Sequence, residues 1–290
     1  MQIDIDTRFI MLVGTPLGQS FAARMQNAAY DAAGMNLRYF YNEAGSENLQ
    51  QIIEGLRHSP AFIGAAITHP NKVKVLEYLD EVDPLCAKMG SCNTIVKRAD
   101  GGLVGYNTDS TGFYTAFLED GGLPAEGRSF FCIGAGGAGR AICSALAHNG
   151  AAAIYISDVN SKSATRMTED LNRNFAPVAT AVPAGDLSRV SECDCVINAT
   201  GIGMGDSVDM SPLPEEHIVP GQIHFDACYN PAKTQFLMNA EAAGCTVING
   251  LSMSLHQGAA QIRLWTGQEP PLDAMRAELE TILKEKADNR

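Results

Sequence analysis

"FFCIGAGGAGRA", residues 130–141, is an apolar run that breaks into glycines and then into small helix-forming residues. It carries G-x-G-x-x-G at Gly134, Gly136 and Gly139. The pattern alone is weak, because ordinary turns are also rich in glycine. Here it follows a strand-like run and opens a helix-like one, as the dinucleotide-binding fingerprint requires. The loop Gly134, Ala135, Gly136, Gly137, Ala138 and Gly139 would bring backbone N–H groups to a pyrophosphate at the helix N-terminus. The next strand, AAIYISD, ends at Asp158, 24 residues beyond Gly134. A carboxylate there can accept from adenosine ribose hydroxyls and would repel a 2′-phosphate. The alternative is that Asp158 caps the following helix. Val159, Asn160 and Ser161 follow it, with only Lys162 nearby, where an NADP site usually places Arg or Lys at once. The expected cofactor is therefore NAD, with NADP possible.

Downstream of the loop, helices near 137–149, 161–173 and 235–243 alternate with the runs CDCVINAT, QIHFDAC and CTVING. Such alternation predicts a parallel sheet covered on both faces. Upstream, strands are expected at 8–14, 37–41 and 62–68, with helices at about 20–33, closed by Gly34, and at 46–58. Pro70 suits a helix start, and Val73, Leu76 and Leu79 continue that pattern. Residues 92–107 read as a hairpin turning at Asp100-Gly101, and 109–122 as a helix ending in glycines. The tail, 251–290, is helical. The fold class is α/β.

The totals narrow the function. A net charge of −12 argues against a nucleic-acid partner. No apolar run approaches the about 20 residues that span a bilayer, and the N-terminus lacks the pattern of a signal peptide. The eight cysteines form no CxxC pair, which points to buried, reduced thiols in a cytoplasmic protein. The six histidines show no HxxxH or HExxH spacing, so no metal is expected. Met35, Met89, Met204, Met210, Met238 and Met253 read as core filler.

Eight blocks in order, "VGTPLGQS" (13–20), "THPNK" (68–72), "CNT" (92–94), "GYNTDSTGF" (105–113), "GAGGAGRA" (134–141), "NATGIGM" (198–204), "DACYNP" (226–231) and "LHQGA" (255–259), resemble the shikimate/quinate dehydrogenase family over essentially the whole chain. The resemblance implies an N-terminal α/β substrate-binding domain, 1–108 completed by 251–290. It also implies a Rossmann-type NAD(P)-binding domain, 109–250, with the reaction in a cleft. Lys72 and Asp109 would be the catalytic pair. Ser20, Thr68, Asn93, Tyr229 and Gln257 would bind substrate, and Thr200 and Gly250 would join the glycine loop and Asp158 on the cofactor side. The chemistry suits these residue types. Oxidising a secondary alcohol takes a proton from oxygen and a hydride from carbon; a lysine held by a carboxylate can exchange the proton. Without the blocks, Lys72 reads as a helix-surface charge.

The chain departs from the family at two points. The first block usually has two hydroxyl residues, S-x-S, that bind a substrate carboxylate; here Ser20 is followed by Phe21 and Ala22. The strand before the lysine usually reads N-V-T; here it reads Ala66-Ile67-Thr68. Each lost bond to a charged group is worth about 1.5–3 kcal/mol. Together they would weaken a carboxylate substrate by about two to four powers of ten. Either the missing contacts come from elsewhere, with Gln19, Thr15 and His69 close in sequence, or the substrate is a cyclic polyol without the carboxylate. His69 itself reads more readily as packed or solvated than as functional. Rival readings are a metabolite- and NAD-sensing module that has lost catalysis, and a bilobal dehydrogenase for folate-linked substrates. The partner expected is a small cyclic polyol, with no nucleic acid and no membrane, in a monomer or homodimer.

Overall fold

The computed structural model describes residues 3–18, 20–121 and 123–288. Its first elements are β1 (Arg8–Gly14), α1 (Ala22–Ala32), β2 (Leu37–Glu43), α2 (Leu49–Arg57), β3 (Phe62–Ile67), β4 (Glu81–Val82), α3 (Pro84–Met89), β5 (Thr94–Lys97) and β6 (Leu103–Tyr106). Then come α4 (Thr108–Ala116), β7 (Ser129–Ile133), α5 (Gly137–His148), β8 (Ala153–Ser157), α6 (Ser161–Asn174), β9 (Ala179–Val182), β10 (Cys195–Asn198), β11 (Ile223–Asp226), α7 (Gln235–Ala242), β12 (Thr246–Asn249), α8 (Gly250–Thr266) and α9 (Leu272–Asp288). Two compact units result, Met1–Thr108 with Gln257–Arg290, and Asp109–His256. The division falls within α8, a single helix.

The first unit holds a sheet ordered β2-β1-β3-β5-β6-β4. β1 pairs in parallel with β2 and β3, while β5 runs antiparallel to both its neighbours, β3 and β6. β3 is buried at every position, as a central strand with an unbroken apolar run should be. Gly64 is required there: a Cβ would lie 2.4 Å from the Ile95 carbonyl oxygen and from Trp265 Nε1. Trp265 uses that close approach to donate from Nε1 to the Ile95 carbonyl at 2.9 Å. Val13, Leu49, Ile53, Phe62, Ile67 and Ile95 fill the core on one side. On another side α9 packs on α1, where Arg24 pairs with Glu278 and Glu285.

The second unit holds an all-parallel sheet ordered β12-β11-β10-β7-β8-β9. Phe113, Phe117, Phe130, Ile142, Leu146 and Phe225 form its core. The chain winds outward from β7 in both directions. The gap between β7 and β10 is therefore the point where strand order reverses, the usual ligand position in such sheets.

Most elements lie where the periodicity places them, with four differences. The segment after Pro70 is not an α-helix. The Lys72 carbonyl is turned to Cys92 N, from which it accepts at 2.8 Å; the chain tightens into a 3₁₀ turn over Lys74–Tyr78 and leaves Val73 exposed. α1 starts at Ala22, because Ser20 Oγ takes the Ala22 N–H at 3.3 Å. The helix expected over 109–122 stops at Ala116 and widens into a π-helical turn over Phe117–Gly121; Gly122 lies outside the described residues. Met210 and Met238 are exposed, whereas Met35, Met89 and Met253 are buried. Three elements carried too little pattern to be expected: the two-residue β4, β9 at the sheet edge, and α3. A start signal did exist for α3. Asp83 accepts from the Leu85 and Cys86 N–H groups, Pro84 takes the first position, and Gly90 ends it at φ 64°. Seven of the eight cysteines are buried, Cys245 is half-buried, and all are free thiols. Among the described residues no helix is long and apolar enough to cross a membrane.

Candidate active site

In the first unit the polar residues gather where β3 ends and β5 begins. Asn93 donates from Nδ2 to Gln257 Oε1 at 3.5 Å, and its own carbonyl accepts from Ile67 N at 2.8 Å. The Cys92-Asn93 dipeptide also ties down two other segments. Cys92 N donates to the Lys72 carbonyl, and Asn93 Oδ1 accepts from Thr108 N at 2.7 Å. Lys72, half-buried, thus leaves a loop anchored to the strand that presents Asn93, and Asp109 directly follows Thr108. Thr68 donates its N–H to the Val13 carbonyl and Thr15 donates its own to the His69 carbonyl, which binds the β1–α1 loop to the same strand end. His69 itself is exposed.

Ser20 is half-buried in that loop. Tyr41, on β2, donates its hydroxyl to the Ser20 carbonyl at 2.8 Å and accepts from Ala23 N at 3.2 Å. The first N–H groups of α1 are therefore taken by Ser20 Oγ and by the Tyr41 hydroxyl. Ala66 is buried on β3. Gln19 lies outside the described residues.

In the second unit the glycine loop joins β7 to α5. Gly134 has φ 110°, in the region that favours glycine, and a Cβ there would sit 2.7 Å from the Ala199 carbonyl carbon. A Cβ on Gly139 would sit 2.1 Å from the Gly134 carbonyl oxygen. These two glycines let β7, β10 and α5 meet. Gly136 and Gly137 are exposed and open, and α5 has no side-chain cap, so its leading N–H groups present to a ligand. Asp158 Oδ2 accepts from Ala135 N at 2.7 Å and Oδ1 from Asn160 N at 2.7 Å. The helix cap is Asn160, whose side chain accepts from Lys162 N and Ser163 N; Asp158 is turned to the loop instead. Val159 is 97 % exposed beside it. An uncapped helix start, glycines that only a bare backbone could replace and a carboxylate at the tip of the adjacent strand fit a nicotinamide dinucleotide.

A buried network that the sequence did not reveal holds the neighbouring loops. Asn198 Oδ1 accepts from Thr200 Oγ1 at 2.6 Å and from Thr200 N at 3.0 Å, while its Nδ2 donates to Ile202 O and to Asp226 Oδ1, each at 2.9 Å. Asp226 also accepts from Cys228 N at 2.9 Å and from Thr234 Oγ1 at 2.5 Å. Burial pushes the Asp226 carboxyl above its usual range, against the pull of these bonds from Thr234, Cys228 and Asn198. Thr200 is thereby fixed, and so is the turn leading to the half-buried Tyr229. Gly250 closes the same end: its N donates to Cys228 O at 3.0 Å, and a Cβ would lie 2.3 Å from Ala227 O. The signal for this network was present in the NAT and DAC blocks, but spacing does not tell which side chains meet.

Residues 12–95 match the family model described as the shikimate dehydrogenase substrate binding domain, and 250–280 match the shikimate 5'-dehydrogenase C-terminal domain. A protein of Moorella thermoacetica, named shikimate dehydrogenase (NADP(+)), is 39% identical over 95% of this chain and 93% of its own length. A solved shikimate 5-dehydrogenase of Listeria monocytogenes, in complex with shikimate and NAD, is 32% identical with a TM-score of 0.91, covering 96% of this chain and 98% of its own. A 5-ketofructose reductase of Gluconobacter is 29% identical with a TM-score of 0.87, covering 95% of this chain and 99% of its own.

Proposed function

The chain belongs to the shikimate dehydrogenase family of NAD(P)-dependent oxidoreductases, and from that premise we propose that it oxidises a ring hydroxyl of shikimate, quinate or a close relative, reversibly and in the cytoplasm. The observation that carries the proposal is the Cys92-Asn93 dipeptide, bonded at once to the Lys72 carbonyl and to the N–H of the residue before Asp109. In this reading Lys72 Nζ takes the hydroxyl proton as the hydride leaves carbon, and returns it in the reverse direction. Asp109 orients Lys72 and binds the neighbouring hydroxyl. Asn93 and Gln257 hold that same edge of the ring, with Thr68, Tyr229 and Ser20 completing the contacts. The dinucleotide, when bound, accepts or returns the hydride. Gly134 to Gly139 would hold its phosphates, Asp158 its ribose, and Thr200 and Gly250 would border its nicotinamide end.

We assign the cofactor preference to NAD. Asp158 faces the loop as an acceptor, and the exposed position after it is the apolar Val159 instead of a basic residue that could pair with a 2′-phosphate. The Moorella relative is named for NADP and the Listeria structure holds NAD, so the family accommodates both.

Two observations favour a second reading, in which the substrate lacks the carboxylate. Ala22 and Ala66 offer no hydroxyl or amide, and Tyr41 and Ser20 already bond the α1 N–H groups. The Gluconobacter neighbour's named substrate, 5-ketofructose, is itself a compound without a carboxylate. Initial rates on shikimate, quinate and inositols, each with NAD and NADP, separate the readings. Efficient oxidation of shikimate or quinate with NAD is expected. Turnover of inositols alone would establish the second reading, and a tenfold preference for NADP would overturn the cofactor assignment.

A further inference from the structure

The buried side chains behind Asn93 form a directed series. Gln26, Thr94, Asn93, Thr108 and Gln261 are each 3 % exposed or less. Gln26 Nε2 donates to the Gly258 carbonyl at 3.2 Å and to Gln261 Oε1 at 3.2 Å. Gln261 Nε2 donates to Thr94 Oγ1 at 3.1 Å, and Thr94 Oγ1 donates to Asn93 Oδ1 at 2.7 Å. Both ends are unambiguous. A backbone carbonyl only accepts, so Gln26 must turn its nitrogen to Gly258. A backbone N–H only donates, so Asn93 must turn its oxygen to Thr108 N. The hydroxyl of Thr108, 3.2 Å from Asn93 Oδ1, adds to the same side. Flipping any one amide would set two acceptors, or two donors, face to face in a buried place, at the cost of unmade hydrogen bonds.

We propose that this one-way chain, Gln26 to Gln261 to Thr94 to Asn93, fixes the Asn93 amide as a donor, so that the substrate group it meets is an oxygen accepting a hydrogen bond, and that Gln261 and Thr94 are positioning residues for substrate. The orientation passes one step further. Asn93 Nδ2 donates to Gln257 Oε1, which turns the Gln257 nitrogen away from Asn93. With a substrate ring seated against Asn93 and Gln257, as proposed above, both amides would offer N–H groups, suited to hydroxyl oxygens acting as acceptors and unsuited to an ammonium. The inference rests on Asn93 being a substrate contact, as proposed above.

The test compares Asn93→Ala, Asn93→Asp, Thr94→Val, Thr94→Ser and Gln261→Met for shikimate oxidation, with circular dichroism to confirm folding. Asn93→Ala is expected to raise KM at least tenfold. Asn93→Asp has the same shape but presents oxygen where nitrogen stood, and is expected to fall below Asn93→Ala in kcat/KM. Thr94→Val and Gln261→Met, which do not reach the substrate, are expected to raise KM about fivefold with kcat nearly unchanged, and Thr94→Ser to restore it. Should Thr94→Val fail to fold, Gln261→Met carries the comparison. The readout beyond structure is the preference for shikimate over its analogue lacking the hydroxyl beside the oxidised one. That preference should shrink in Thr94→Val, whereas general damage would lower both rates alike. Asn93→Asp within threefold of the unaltered protein would overturn the donor assignment while leaving Asn93 as a contact. Asn93→Ala without effect would instead remove the contact itself.

Discussion

Lys72 shows how little a residue says when taken alone. On a helix-like stretch it is one of 21 basic residues, and only its place in the "THPNK" block marks it out. Its structural setting adds a reason: the peptide that carries it is bonded to Cys92, just before β5, and is not part of a helix. Lys72→Met should lower kcat by about 10²–10⁴, the range for a lost proton carrier, while dinucleotide affinity by fluorescence titration stays the same. Unchanged turnover would remove Lys72 from the chemistry. Asp158 and Val159 are the residues for cofactor choice. Changing Asp158 to Asn together with Val159→Arg should move the kcat/KM ratio toward NADP by at least about tenfold, since it removes a repulsive carboxylate and adds a cation for the 2′-phosphate. An unaltered ratio would show that selectivity lies elsewhere.

At the scale of elements, the junction of β7, α5 and β10 is governed by close approach. Gly139→Ala would force its Cβ into the Gly134 carbonyl, which is backbone and has little room to yield. The expected result is a rise of at least about tenfold in the dinucleotide Kd, as the helix start is pushed from the loop. Affinity equal to the unaltered protein would mean that this junction does not shape the pocket. Thr234 ties α7 to the Asn198–Asp226 network, bonding Asp226 and capping Leu237 N at 3.4 Å. Thr234→Val keeps the shape and loses both bonds. It should cost about 1–3 kcal/mol, seen as a lower midpoint in urea unfolding. Element types were readable from period and turn residues, since a strand covered on both faces must be apolar throughout. The missed elements were short or at an edge, where a few residues carry no period.

At the scale of the whole molecule, one buried imidazole predicts a loss of stability in acid. His224 is fully buried on β11, paired across the sheet with Val196 and Val247, beside the Phe236 ring at 5.1 Å, and neither ring nitrogen has a hydrogen-bond partner. Desolvation lowers its pKa from 6.5 to about 4. Between these values the unfolded chain binds a proton that the folded chain does not, so stability falls as pH drops from 6.5 toward 4. The loss amounts to about 3 kcal/mol across that window. His224→Phe should remove most of this slope in urea unfolding measured from pH 7 to 4. A slope identical to that of the unaltered protein would place the acid sensitivity in other groups.

By itself the sequence determined the α/β class, the parallel character of the second sheet, the dinucleotide loop and the family. These follow from local chemistry: hydrophobic period, turn residues, and glycines that no other residue can replace. It also exposed the two alanines where the family keeps polar groups. Only the tertiary structure decided that Lys72 leaves a loop, that Asp158 turns to the glycine loop while Asn160 caps α6, that Tyr41 clamps the start of α1, and that Asn93 turns its amide oxygen to Thr108 and its nitrogen to Gln257. Each of these depends on which backbone groups are already taken by residues distant in the chain, from Cys92 on Lys72 to Gln261 on Thr94. A hydrogen bond is settled by three-dimensional neighbours, and a one-dimensional pattern contains no record of them.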